Sequence, residues 1–182
     1  MQRLFAPGGP WPTPWMPRVL PVVAALAERF AARTIFTRFM PPERPEDLGG
    51  SWRRYYERWR EVTRERIAPA MLELMPELAA VQGKAEVIDK ETYSAFEAPA
   101  LVNSLRKQGV DTVIVTGAET DVCVAATVLG AVDRGYRVVV VADAICSSTD
   151  EGHDALLGLY RNRFSQQIET VESAEILDSW RP

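Results

Sequence analysis

The sequence predicts an α/β fold, a three-layer α/β/α sandwich built on a mainly parallel sheet. Residues 33–39 (Arg-Thr-Ile-Phe-Thr-Arg-Phe), 111–116 (Asp-Thr-Val-Ile-Val-Thr) and 137–142 (Arg-Val-Val-Val-Val-Ala) are short β-branched runs. The last two are almost continuously apolar, as strands covered on both faces by helices must be. Segments of helical periodicity fill the intervals. Gly109 and Gly135 stand just after two of these segments, where a left-handed C-cap residue is wanted, and each is soon followed by a strand. Right-handed crossovers between parallel strands then put the active edge at the carboxyl ends of the strands.

In chain order, residues 17–32 are helical by period and 33–39 form the first strand. Residues 41–50 (Pro-Pro-Glu-Arg-Pro-Glu-Asp-Leu-Gly-Gly) interrupt both ladders with proline and glycine, so a loop or lid is expected there. Residues 52–67 read as a helix in which Trp52, Tyr55, Tyr56 and Trp59 recur at i, i+3, i+4 and i+7, with Arg53, Arg54, Glu57, Arg58 and Arg60 on the other side. That stripe reads as core or subunit contact, with a substrate pocket as the second reading. Short strands are expected at 85–89 and 167–171, each lying between helical patterns. The remaining helices are 99–108, 122–134, 154–164 and 173–180.

At 182 residues, 47% of them apolar and 25% charged, the chain suits one domain spanning 1–182 with a full core. No stretch approaches the roughly 18 uncharged apolar residues of a membrane span, and residues 1–9 lack the apolar centre of a secretion signal. A cytoplasmic protein without a membrane partner is expected. Net charge is -4, with arginines interleaved among glutamates, so no footprint for nucleic acid is visible. Cys123 and Cys146 are the only cysteines and lie in separate elements, which predicts free thiols.

Cys123 sits in Gly-Ala-Glu-Thr-Asp-Val-Cys-Val (117–124), where the strand 111–116 ends and a helix begins. Backbone N–H groups and the positive end of the helix dipole meet there and favour thiolate over thiol. The local pattern admits two readings, an activated nucleophile and a small buried hydrophobe. Asp121 reads as an N-terminal capping carboxylate and Asp143 as a residue fixing the turn after its strand. Cys146 reads as buried filler.

The run Val115-Thr116-Gly117-Ala118-Glu119-Thr120-Asp121-Val122-Cys123-Val124, followed by Gly135-Tyr136-Arg137-Val138-Val139-Val140-Val141-Ala142-Asp143-Ala144, resembles the isochorismatase-like cysteine hydrolases. That superfamily includes nicotinamidases and N-carbamoylsarcosine amidohydrolases. Lys90, in Asp89-Lys90-Glu91-Thr92-Tyr93-Ser94-Ala95-Phe96, and His153 before its helix extend the resemblance over essentially the whole chain. The resemblance implies a Rossmann-like sandwich and hydrolysis of a C–N bond in a small molecule. Cys123 would be the nucleophile, Lys90 the cation beside it, and an aspartate two residues before a glutamine the general base.

Here Gln2 is preceded only by Met1, so that aspartate is expected just upstream of Met1, on a central first strand missing from this chain. Without that strand, 33–39 and 111–116 would be unbridged, and the natural start is expected further upstream. The resemblance further implies an oxyanion hole of the Glu119 and Cys123 backbone N–H groups, aimed by a cis peptide between Ala118 and Glu119. With one histidine, His153, and Thr37-Arg38-Phe39-Met40 where a ligand set would begin, no metal or other cofactor is expected.

Phe5, Trp11, Trp15, Arg38, Tyr93, Phe96 and Trp52 follow strand ends or flank the motifs, and are expected to wall a pocket for a small planar or carboxylated amide. Each aromatic also has a plain core reading, and Arg38 could pair with Glu119 or Glu43. The competing functions are a vinyl-ether hydrolase of isochorismatase type, which would not need Cys123, and an inactive binding or oligomer-forming relative. By analogy with the family a homodimer or homotetramer is expected. No nucleotide-binding Gly-x-Gly-x-x-Gly or P-loop pattern is present.

Overall fold

A computed structural model describes residues 1–181; Pro182, the last residue of the expected 1–182 domain, lies outside the described residues. The strands are β1 (Ile35–Phe39), β2 (Glu86–Lys90), β3 (Thr112–Ala118), β4 (Arg137–Cys146) and β5 (Ile168–Val171). The helices are α1 (Met16–Arg29), α2 (Gly50–Arg58), α3 (Pro76–Ala79), α4 (Pro99–Lys107), α5 (Ala125–Val132), α6 (Asp150–Asn162) and α7 (Ser173–Ser179). All strand pairings are parallel, β1 with β2 in one sheet and β3, β4, β5 in that order in another. Among the described residues no helix is long and apolar enough to cross a membrane.

β4 shows why four consecutive valines belong in the middle layer. Side chains alternate across a strand, so Val138 and Val140 join one core with Leu101, Leu105, Val128, Leu157 and Tyr160. Val139 and Val141 enter the other, with Val19, Val23, Leu26, Ala27 and Ile176 of α1 and α7. α1 supplies its share because Val19, Val23, Leu26 and Ala27 fall on one stripe of the 3.6-residue period. Gly109 and Gly135 adopt φ of 64° and 79°, the left-handed conformation their C-cap positions call for.

Several expected boundaries move. The helix expected over 52–67 stops at Arg58, where the chain tightens into the 3₁₀ turn Arg60–Val62 and Thr63 Oγ1 donates back to the Arg60 carbonyl at 2.7 Å. The loop 41–50 holds one 3₁₀ turn, Pro45–Asp47. β4 runs past Ala142 to Cys146, since its register against β3 jumps from Val115↔Val140 to Gly117↔Ile145. Asp143 therefore lies inside β4 rather than at its end. Its carboxylate accepts from Ser173 N at 2.8 Å and from Ser173 Oγ, holding the start of α7 rather than fixing a turn.

β1 and β3 do not pair; between their facing edges runs a cleft of about 590 Å³. Ile35–Thr37 of β1, Val113–Ala118 of β3, and Val23, Leu26, Leu101 and Leu105 from the flanking helices line it. Val113, Ile114 and Val115 are consequently only half-buried, whereas Val138 to Val141 of β4 are buried. Gln2 closes one end of the cleft. Its side-chain amide pairs with β1 as a neighbouring peptide would, donating to Phe39 O at 3.0 Å and accepting from Phe39 N at 2.7 Å, with a further donation to Leu72 O at 2.8 Å.

Candidate active site

Cys123 is positioned by the way β3 ends. Gly117 takes φ of 110°, which side-chain-bearing residues rarely adopt, and the Ala118–Glu119 peptide bond is cis. The chain then makes one π-helical turn, Thr120–Val124, in which Val124 N–H donates to Glu119 O at 2.9 Å, before α5 begins. The helix expected from residue 122 is thus a π turn followed by a shorter α-helix, an arrangement frequent at functional sites. Thr120 is buried, with Oγ1 and His153 Nδ1 2.9 Å apart. Asp121 accepts from Ser147 Oγ and lies against Gly152, where no Cβ would fit. It ties the turn to the end of β4 and the start of α6, a different task from capping its own helix.

Lys90, the last residue of β2, comes to the same point from the other sheet. It is buried, and its Nζ lies 3.3 Å from Cys123 Sγ, 2.8 Å from Thr92 O and 2.8 Å from Tyr93 O. Three N–H donors thus meet three acceptors. The ammonium also stands 5.1 Å from the centroid of the Phe39 ring.

Burial pushes the Cys123 thiol above its ordinary pKa; the charge and hydrogen bond of Lys90 and a backbone hydrogen bond from Glu119 pull it back, while the Glu119 charge adds to the rise. Burial likewise lowers Lys90, and the sulfur raises it. Desolvation exceeds the pairing on both sides. Lys90 thus acts on the thiol in the expected direction, downward, and burial outweighs it. The Glu119 carboxyl is itself raised, first by burial and also by Asp121, against a hydrogen bond from Ser148. Cys146 is buried and its thiol is pushed up to about 11, chiefly by burial.

Among the remaining residues read from the sequence, Phe5 and Phe96 line the cleft with Lys90 and Cys123. Tyr93 holds Lys90 through its carbonyl and packs its ring on Trp52, centroids 4.8 Å apart. Trp11 is half-buried among Phe5, Phe39, Tyr55 and Trp59, and Trp15 packs on His153 at 5.4 Å. Arg38 is not part of a pocket wall. Strand alternation sends Phe39 and Lys90 to one face and Arg38 and Asp89 to the other, where Asp89 grips the guanidinium at 2.7 and 3.0 Å and Glu73 at 3.1 Å. Neither Glu119 nor Glu43 is its partner. Tyr55 and Tyr56, absent from the pocket residues expected above, pack with Trp52 and Tyr93 on the Cys123 side, and burial raises both phenols. Their signal in the sequence was the aromatic stripe itself.

The residues around Cys123 do not fit a metal site. Among the described residues no group of three or more His, Cys, Asp or Glu converges, and His153 is engaged by Thr120 and covered by Trp15.

Known proteins resemble this chain in sequence and in fold. A model of the isochorismatase domain matches residues 1–172. A maleamate amidohydrolase from Pseudomonas putida is 30% identical over 162 residues, 86% of this chain and 73% of that protein. Nicotinamidase 3 of Arabidopsis thaliana is 40% identical over 77 residues, 42% of this chain and 39% of its own length. An isochorismatase family protein from Desulfovibrio vulgaris superimposes with a TM-score of 0.80 at 26% identity, covering 98% of this chain and 93% of that one. A cysteine hydrolase from Pseudomonas syringae shares the fold, with a TM-score of 0.82 at 24% identity over 97% of this chain and 87% of that one. The chain belongs to the isochorismatase family.

Proposed function

We propose that the chain is a cysteine amidase acting on a small molecule. The observation that carries this reading is the buried Lys90 Nζ 3.3 Å from Cys123 Sγ at the carboxyl ends of β2 and β3. Burying a cation is costly, and a buried ammonium in contact with a thiol at the strand ends is suited to stabilise negative charge on the sulfur. The Cys123 sulfur would attack the amide carbon, forming a C–S bond; the tetrahedral adduct collapses with cleavage of the C–N bond, and the nitrogen leaves as ammonia or an amine with the thiol proton. Water then hydrolyses the thioester, releasing the acid and restoring the thiol. The Glu119 and Cys123 backbone N–H groups would stabilise the oxyanion.

The proton needs an acceptor. Among the described residues no carboxylate hydrogen-bonds Cys123, and the cleft between β1 and β3 opens at the sulfur. The proposal therefore includes an aspartate reaching Cys123 from that cleft on a strand that pairs with both open edges. The maleamate amidohydrolase and nicotinamidase relatives support amide chemistry; Cys123 argues against vinyl-ether hydrolysis, which needs no thiol.

The test is ammonia release from a panel of small primary amides, comparing the chain with Cys123→Ala. Turnover lost in the variant supports the reading. Equal turnover in both, or hydrolysis confined to a vinyl ether, overturns it.

A further inference from the structure

The charges around the thiol say which amides fit. Lys90 and Glu119 are the charged side chains that act on the Cys123 thiol, in opposite directions. All three Lys90 donors are spent on Thr92 O, Tyr93 O and the sulfur. In the reactive form the thiolate and Glu119 outnumber Lys90, so the site is anionic before any substrate arrives. Arg38, the cation nearest in sequence to the site's strand ends, faces away and is held by two carboxylates, Asp89 and Glu73. The groups close enough to interact with Cys123 are otherwise aromatic: Tyr93, Tyr55 and Tyr56 form a cluster with Trp52, with Trp52 and Tyr93 4.8 Å apart, Trp52 and Tyr55 5.7 Å, and Tyr55 and Tyr56 5.2 Å between ring centroids. Two uncharged donors in this cluster, the Tyr56 hydroxyl and the Trp11 indole N–H, are buried without a protein partner.

We infer that the site selects uncharged, flat amides and rejects amides that carry a carboxylate. A substrate carboxylate would be desolvated beside aromatic rings and face Glu119, while Lys90, the cation at the sulfur, has its three donors already engaged. A neutral ring meets no such charge penalty and gains the stacking surface. This inference rests on the proposed amidase reading for the place where substrate binds, and it sets the chain apart from its relative that is named for maleamate, a carboxylated amide.

The test uses an isosteric pair that needs no turnover, iodoacetamide and iodoacetate. Each alkylates sulfur by displacing iodide, and the two differ by one negative charge. Modification rates of Cys123 are followed by peptide mass spectrometry at about pH 8, above the ordinary carboxylate range, and each is divided by the rate for the same cysteine in the urea-unfolded chain. The normalised rates are expected to favour iodoacetamide about tenfold or more, a like-charge penalty of the size expected at a partly desolvated site. Glu119→Gln should recover iodoacetate selectively.

A normalised ratio near one, or one favouring iodoacetate, overturns the inference. So does failure of both reagents to reach Cys123 in the folded chain. Because the ratio requires no catalysis, an absence of amide hydrolysis would count against the proposed function while this charge preference is still measured. If the chain does turn over amides, nicotinamide should be preferred to maleamate in kcat/KM; the reverse order refutes the charge argument and leaves the amidase reading intact.

Discussion

Replacing Lys90 with methionine removes the cation hydrogen-bonded to Cys123 while keeping an unbranched side chain of similar length. At 3.3 Å, a unit charge pair interacts by about 5 kcal/mol at an effective dielectric constant near 20. Half of that is a reasonable share after neighbours and solvent relax into the site, leaving about 2.5 kcal/mol, or about two pKa units. The direction follows from the charges. Lys90 favours the thiolate, so its loss moves the thiol pKa, already raised by burial, further up. Below that pKa the thiolate fraction, and with it the alkylation rate, climbs tenfold per pH unit, so the two profiles should run parallel between about pH 7 and pH 8.

The assay is the pH profile of iodoacetamide modification at Cys123 in both proteins, with Cys146 as an internal control. Lys90→Met should be slower by about a hundredfold at a common pH, with its midpoint displaced upward. Superimposed profiles would refute the reasoning, because the ammonium would then contribute nothing to the state of the sulfur. A common slowing of Cys123 and Cys146 would refute it too, since the effect would be global.

Three further outcomes follow from burial and bonding. Gln2→Ala leaves the N–H and C=O of Phe39 without their side-chain partner and should lower stability by about 3 kcal/mol in urea denaturation. A change within about 0.5 kcal/mol would show that these groups find water instead. Val140→Ala, fully buried between β3 and β5, should cost about 2 kcal/mol by the same measurement, and Val115→Ala, on the open edge of the cleft, less than half as much; equal costs would mean the cleft is filled when the protein is free in solution. Thr120→Val removes the polar partner of His153 Nδ1 and should cost about 1 to 2 kcal/mol, with Cys123 alkylation slowed as the π turn loosens.

The layered fold was legible because its causes are local. Continuous valines in 138–141 can only be a strand buried on both faces, and Gly109 and Gly135 mark helix ends by a backbone conformation that other residues avoid. The absent pairing of β1 with β3 followed from the resemblance together with strand order. Arg38 went wrong for a long-range reason: its partner Glu73 belongs to a stretch of 3₁₀ turns with no periodic signal, and nothing in the sequence brings it to β1. The sign of the Cys123 shift was also out of reach. Helix end and Lys90 can be read from pattern and family, whereas the desolvation that outweighs them depends on how the folded chain packs around the sulfur. Tyr55 and Tyr56 lie on a stripe whose core reading and pocket reading predict the same spacing, so only packing against Trp52 and Tyr93 separates them.

The most direct measurement is the mass of the Cys123 peptide from the chain quenched in acid during amide turnover. An added acyl group on Cys123, absent from Cys146 and labile to hydroxylamine, is the predicted result. Full-rate amide hydrolysis by Cys123→Ala, with no adduct on any cysteine, would contradict it.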